Sequence, residues 1–207
     1  MHIVDGALAN SVVAGGAVVA VGGIAMGLRH MPMEKIPVAG VLSASFFVAS
    51  LIHVPIGPSS VHLIMNGLAG IVLGWAAVPA LFVGLLLQAV FFGFGGLTVL
   101  GINTVNIALP AVAAWYLCRR GVRSSDARIA ALWGALAGGL SIAITTIMVA
   151  ASLALSGEEF YPAAKFVFLA HIPVMLIEAG LTAAAVHLTR LVKPELLDVA
   201  PVMGEAR

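Results

Sequence analysis

Apolar residues run along this chain in long stretches, separated by short polar or Pro/Gly-marked links. The stretches do not alternate with polar positions, so they read as helices rather than barrel strands. The pattern predicts seven helices, over about 9–28, 38–52, 62–78, 80–99, 105–118, 129–155 and 166–192. The first stops at Arg29-His30, and a polar link from Met31 to Pro37 leads to the second. Pro79 separates the third from the fourth, and Gly101-Ile-Asn-Thr-Val leads into the fifth. Polar loops at 119–128 and 156–165 flank the sixth. Between the second and third lies His53-Val-Pro-Ile-Gly-Pro-Ser-Ser-Val61, where Pro55, Gly57 and Pro58 forbid a regular helix.

These lengths suit a bilayer, whose hydrocarbon core of ~30 Å takes ~20 apolar residues to cross. Composition agrees: of 207 residues, 61% are hydrophobic and 9% charged, and the mean hydropathy is +1.12. A soluble domain is ~45–50% apolar and ~25% charged, so lipid must be the solvent. Backbone polar groups in lipid must be satisfied internally, which leaves helices or closed barrels. The expected fold is therefore an all-α, polytopic membrane bundle of seven spans, one domain over residues 1–207.

Charge orients it. With the N-terminus outside, the cytoplasmic links and tail hold Arg29, Lys35, Arg119, Arg120, Arg123, Arg128, Arg190, Lys193 and Arg207, against Lys165 alone on the outer side. The reverse orientation inverts that bias, so the N-terminus is expected outside and the C-terminus in the cytoplasm. A net charge of +1 gives no basic surface for nucleic acid. The single Cys118 permits no internal disulfide or multi-cysteine metal site. Residues 1–8 lack the basic start of a signal peptide, so the N-terminus is expected to be retained, and Met1 with it, because removal of an initiator methionine needs a small second residue and His2 is large.

That terminus carries the candidate chemistry. The Met1 amine and the His2 amide nitrogen close a five-membered ring on a metal; the same amide and His2 Nδ1 close a six-membered one. Met1-His2 thus offers three nitrogens in a plane, and Asp5-Gly6 allows a turn that folds them toward the bundle. A fourth nitrogen can come from the stiffened outer link. His62 is expected to open the third helix on one face with Asn66 and Gly70 and is the preferred donor; His53 is the alternative, with Ser60 in the same turn. Four planar nitrogens suit Ni(II) or Cu(II) on geometry alone, and Co(II) can adopt the arrangement.

Other polar groups in apolar surroundings are candidates for support. His171 and Glu178 share a face of the seventh helix, seven residues apart, as hydrogen-bonding groups, as support for the metal-site loop or as a relay. Asn103 and Asn106 lie near the outer end of the fifth helix, and Gln88 is expected to bond between helices. Gly16, Ala20, Gly23 and Gly27 form a small-residue stripe on the first helix, for packing within the bundle or contact with a membrane partner.

The start Met1-His2-Ile3-Val4-Asp5-Gly6, the segment His53-Val-Pro-Ile-Gly-Pro-Ser-Ser-Val-His62-Leu63 and the stretch His171-Ile-Pro-Val-Met-Leu-Ile-Glu178 resemble the CbiM/NikM family. These are substrate-specific membrane subunits of energy-coupling-factor transporters for cobalt and nickel. The resemblance covers essentially the whole chain and is closer to CbiM. It implies seven helices with the N-terminus tucked into the bundle. It also implies a metal held by the Met1 amine, the His2 amide and imidazole nitrogens and the imidazole of His62. Co2+ is the implied substrate, for cobalamin biosynthesis, with Ni2+ the alternative and no organic cofactor. The implied partners are a CbiQ-like coupling subunit, a CbiO-like cytoplasmic ATPase and, because the tail is short, a separate CbiN-like small subunit. The implied location is the cytoplasmic (inner) membrane.

Rival functions fit less well: a purely structural membrane subunit would not need Met1-His2 together with an outer histidine loop. A channel usually lines its pore with polar or acidic residues, and only Glu178 is acidic within a predicted span. The His-Glu-x-x-His of a membrane zinc protease is absent, as is the glycine-rich loop of a nucleotide-binding motor. The chain is expected to be a binding and translocation subunit, not an enzyme.

Overall fold

The structure is a computed structural model that describes residues 2–51, 53–56 and 59–198, without the side chains of 53–56, 59–61 and 164. In chain order it contains α1 (Asn10–Arg29), α2 (Ile36–Ala49), the strands β1 (His53–Ile56) and β2 (Ser59–His62), and then α3 (Asn66–Leu73) and α4 (Ala77–Phe92). The rest is α5 (Leu100–Val122), α6 (Ala127–Ala154) and α7 (Tyr161–Val192). The two strands pair antiparallel with His53 directly opposite His62.

The all-helical membrane character stands, but several expected boundaries are corrected. Among the described residues, five helical stretches are long and apolar enough to cross a bilayer: 10–29, 66–92, 100–122, 127–154 and 158–192. The stretch 66–92 holds the expected third and fourth helices as two, α3 and α4, with the break not at Pro79 but at a single 3-10 turn, Gly74–Ala76. Pro79 lies in the first turn of α4, where its missing N–H costs no helical hydrogen bond. α2 has 14 residues, about 21 Å of helix at ~1.5 Å per residue. α4 stops at Phe92 rather than near 99, because Gly93 takes a left-handed conformation and Phe94 N–H returns to the Gln88 carbonyl. His62 does not open a helix: it ends β2, and α3 begins at Asn66.

α5 sits at the centre, packed by α1, α3, α4 and α6, while α6 lies along α7. Small residues set these approaches. A Cβ on Gly70 of α3 would stand 2.1 Å from the Ala111 carbonyl oxygen of α5, and one on Gly16 of α1 would stand 2.6 Å from Ile102. The stripe on α1 is thus occupied inside the bundle: Gly16 meets α5, whereas Gly23 and Gly27 meet Val78 and Pro79 of α4. Gln88 donates to the Phe46 carbonyl and joins α4 to α2, as expected.

This placement predicts a contrast on one helix. Gly27→Leu drives a side chain into Pro79 and the Trp75 carbonyl, whereas Gly22 has nothing within 4 Å of its Cβ position. Gly27→Leu is expected to abolish the monodisperse peak of the detergent-purified protein in size-exclusion chromatography. Gly22→Leu is expected to leave that peak intact.

Candidate metal centre

The N-terminal segment lies against the loop between α4 and α5 and the start of α5, fixed by polar contacts at three residues. Ile3 N–H donates to Asn103 Oδ1 at 3.0 Å, and Asn103 Nδ2 returns a 3.0 Å bond to the Ile3 carbonyl. One side-chain amide therefore satisfies both backbone groups of Ile3, as a neighbouring strand would. Asp5 N–H donates to the Gly95 carbonyl at 2.8 Å. Its carboxylate accepts from Thr98 Oγ1 at 2.5 Å and from Val99 N–H at 3.3 Å. It thus supplies an acceptor and a negative charge where α5 begins, the end at which both are favourable. Ala9 N–H closes the segment on Ser156 Oγ.

So pinned, His2 is carried into the bundle and is 3% exposed, as is His62. Their Nε2 atoms are 3.0 Å apart and the rings stack at 4.7 Å between centroids. Phe94 covers the far side of His2 at 6.1 Å, and Phe46 stands 6.4 Å from His62. Gly95 has a φ of +76°, and a Cβ there would press on Asn103 Nδ2 and His2 Cβ, at 2.9 and 3.3 Å.

The electronic state of His62 follows from its surroundings. Burial lowers its pKa to about 4, partly offset by its hydrogen bond to the Leu63 carbonyl, so the ring is neutral at pH 7. Its Nδ1 lies 2.7 Å from the Leu63 carbonyl; a carbonyl only accepts, so Nδ1 carries the proton. Nε2 then presents its lone pair toward His2. A neutral imidazole with one nitrogen anchored to a carbonyl is the form in which histidine receives a metal ion.

The other candidates divide. Asn103 holds the N-terminal segment directly. Asn106 is buried but donates to Ser152 Oγ at 3.1 Å, joining α5 to α6. Asn66 donates to the Ile107 carbonyl and Thr145 Oγ1, tying the start of α3 to α5 and α6. Glu178 Oε1 accepts from Ile64 N–H at 2.5 Å and Met65 N–H at 2.8 Å. His171 donates from Nδ1 to the Val167 carbonyl at 2.5 Å. Met1 and the side chains of His53 and Ser60 lie outside the described residues. The sequence reading did not single out the Asp5 carboxylate, Phe94, Gly95, Gly96 or Thr98. The only local signal was that Asp5 is the sole charged side chain before Arg29.

Comparison with known proteins agrees with this picture. Residues 2–196 match the model of the CbiM family, the cobalt uptake substrate-specific transmembrane region. The chain is 40% identical over 200 residues to a putative metal transport protein of Haemophilus influenzae, covering 96% of this chain and 97% of that one. It is 32% identical over 174 residues to the cobalt transport protein CbiM of Sorangium cellulosum, covering 78% and 76%. Over 90 residues it is 42% identical to the fused nickel transport protein NikMN of Rhodobacter capsulatus, 42% of this chain and 26% of the larger protein. A crystal structure of a truncated transition metal transporter superposes with a TM-score of 0.74 at 25% identity, covering 92% of this chain and 98% of that one. The buried two-histidine centre thus sits in a chain that matches metal transporters over nearly its whole length, and this protein belongs to the CbiM family of metal transport membrane proteins.

Proposed function

We propose that this chain captures Co2+ at the outer face of the cytoplasmic membrane, as the substrate-binding subunit of an ATP-driven energy-coupling-factor importer. Ni2+ is the alternative cargo. The observation that carries the proposal is the 3.0 Å approach of the buried His2 and His62 rings, flanked by Phe94 and Phe46. The ligands are the Met1 amine, the His2 amide nitrogen and Nδ1, and His62 Nε2, with His53, opposite His62 in the hairpin, as the reserve donor. The chelate uses Nδ1 of His2, so loading exchanges the present contact between Nε2 atoms for two metal–nitrogen bonds.

Several observations support the assembly around it. Lys35 and Arg123 both pair with Asp198, at 3.7 and 2.7 Å, and Arg190 donates to the Ser125 carbonyl. These basic residues gather at one end, as a cytoplasmic face requires, and with the N-terminus outside the seven passes are α1, α2, α5, α6, α7 and, counted separately on either side of the 74–76 turn, α3 and α4. The chain carries no nucleotide-binding loop, so net uptake needs a partner that changes the relative affinity of outward and inward states. A CbiQ-like coupling subunit and a CbiO-like ATPase fill that role. The relatives named as fused NikMN proteins support a CbiN-like small subunit as a further partner; with Co2+ as the cargo, uptake serves cobalamin biosynthesis.

The test uses the full chain with its native N-terminus, titrated with Co2+ and with Ni2+. Replacing His2 with alanine removes its imidazole and with it the six-membered chelate ring. Affinity is expected to fall more than ~100-fold, beyond the ~10–100-fold that losing a supporting contact costs. Unchanged affinity would remove His2 from the site. The ratio of the two affinities in the unmodified chain decides between the ions.

A further inference from the structure

The corner that follows His62 is held from three sides. Asn66 ties it to α5 and α6. A Cβ on Gly67 would stand 2.7 Å from the Ala137 carbonyl oxygen and from Gly138 Cα, and one on Gly138 would stand 2.5 Å from the Glu178 carbonyl oxygen. α3, α6 and α7 therefore meet almost backbone to backbone at one point. Glu178 sits at that point, fully buried, and one of its oxygens takes both N–H groups that turn β2 into α3.

A buried carboxylate is a costly way to satisfy two backbone donors. Among the described residues Glu178 is the only acidic side chain with no exposure. The corner it grips is also strained: Met65 has a φ of 56° and a ψ of 19°, a left-handed conformation that a residue with a Cβ adopts at a cost. Strain of this kind persists only where the surroundings over-determine it, and it gathers at functional sites. Only Leu63 separates the gripped Ile64 from His62, and the Leu63 carbonyl is the acceptor that fixes the His62 ring.

We propose that Glu178 is the positioning residue of the cargo site: its carboxylate oxygen holds the Ile64–Met65 corner so that the Leu63 carbonyl and the His62 ring stand where the metal is received. α7 thereby becomes the strut behind a ligand it does not contribute. This inference rests on the reading of His62 as a ligand. It assigns Glu178 through its acceptor oxygen rather than its charge, so glutamine should largely replace it.

The experiment titrates Ni2+ into the purified full chain with its native N-terminus and records the visible absorption of the bound ion. E178A is expected to weaken Ni2+ binding tenfold or more, the lower end of what a lost supporting contact costs. At saturating Ni2+ its spectrum should shift toward that of the His62→Ala variant. E178Q is expected to recover most of the affinity and the unmodified spectrum. A merely structural glutamate would lower thermal stability in E178A and leave the spectrum of the folded, loaded protein unchanged, which would overturn the proposal. Equal damage from E178Q and E178A would also overturn it, because charge rather than the grip would then matter. If the unmodified chain shows no Ni2+ spectrum, the metal-binding reading itself fails. If His62→Ala alters the spectrum and E178A does not, only the role of Glu178 fails.

Discussion

Replacing His62 with alanine is expected to reduce the affinity of the purified protein for Co2+ and Ni2+ by more than ~100-fold, past the range in which supporting contacts act. The imidazole is buried at 3% exposure and neutral, so its lone pair is not lost to protonation at pH 7. Its Nδ1 proton is committed to the Leu63 carbonyl, which leaves Nε2 as the nitrogen that meets the cargo. Asn103 is engaged with Ile3 on both sides, and Glu178 is held at the corner beyond. The hairpin itself should survive, since the pairing of β1 with β2 uses backbone groups and Glu178 still grips the turn into α3. Isothermal titration of wild type, His62→Ala and His53→Ala decides the matter. The His53 variant should keep most of the affinity. If only His53→Ala abolishes binding, the fourth nitrogen belongs to the other strand.

Much of the helical framework was legible because lipid imposes length and apolarity on each segment separately, with no need to know its neighbours. The departures are places where a distant residue decides a local boundary. α5 begins at Leu100, ahead of the expected start at 105, and the Asp5 carboxylate receives Thr98 and Val99 at that end from more than ninety positions away. Nothing in 95–105 announces that cap. α3 starts at Asn66 rather than His62 because Glu178, on α7, satisfies the N–H groups of residues 64 and 65. The strand pair at 53–62 shows no polar alternation, and its prolines and glycine excluded a helix without revealing a hairpin. The two histidines of the centre were legible for a different reason. The chelate depends on ring sizes along one short stretch of chain, which a sequence displays directly.

Gly96→Ala is expected to unseat the N-terminal segment and cost about as much metal affinity as losing a supporting shell, ~10–100-fold, while leaving the helical bundle assembled. Gly96 has a φ of +128°, and a Cβ placed there would stand 2.1 Å from the Asp5 carboxylate. Two effects then act in the same direction. The backbone conformation is one that side-chain-bearing residues rarely adopt. Even if the loop shifts to accommodate it, the methyl group occupies the position of the carboxylate that caps α5. Asp5 cannot retreat alone, because its own N–H is bonded to the Gly95 carbonyl, and Ile3, two residues earlier, is bonded at both backbone groups to Asn103. Displacing Asp5 therefore pulls on the strand that carries His2 to its 3.0 Å meeting with His62. The contacts that join α3, α5, α6 and α7 do not involve the 93–96 loop, so the protein should still elute as a single species in detergent. Hydrogen exchange provides the local readout. Amides at residues 3–5 should exchange faster in Gly96→Ala than in wild type, with the interiors of α5 and α6 unchanged. Wild-type affinity together with wild-type protection at Ile3 would show that this loop does not hold the segment in place.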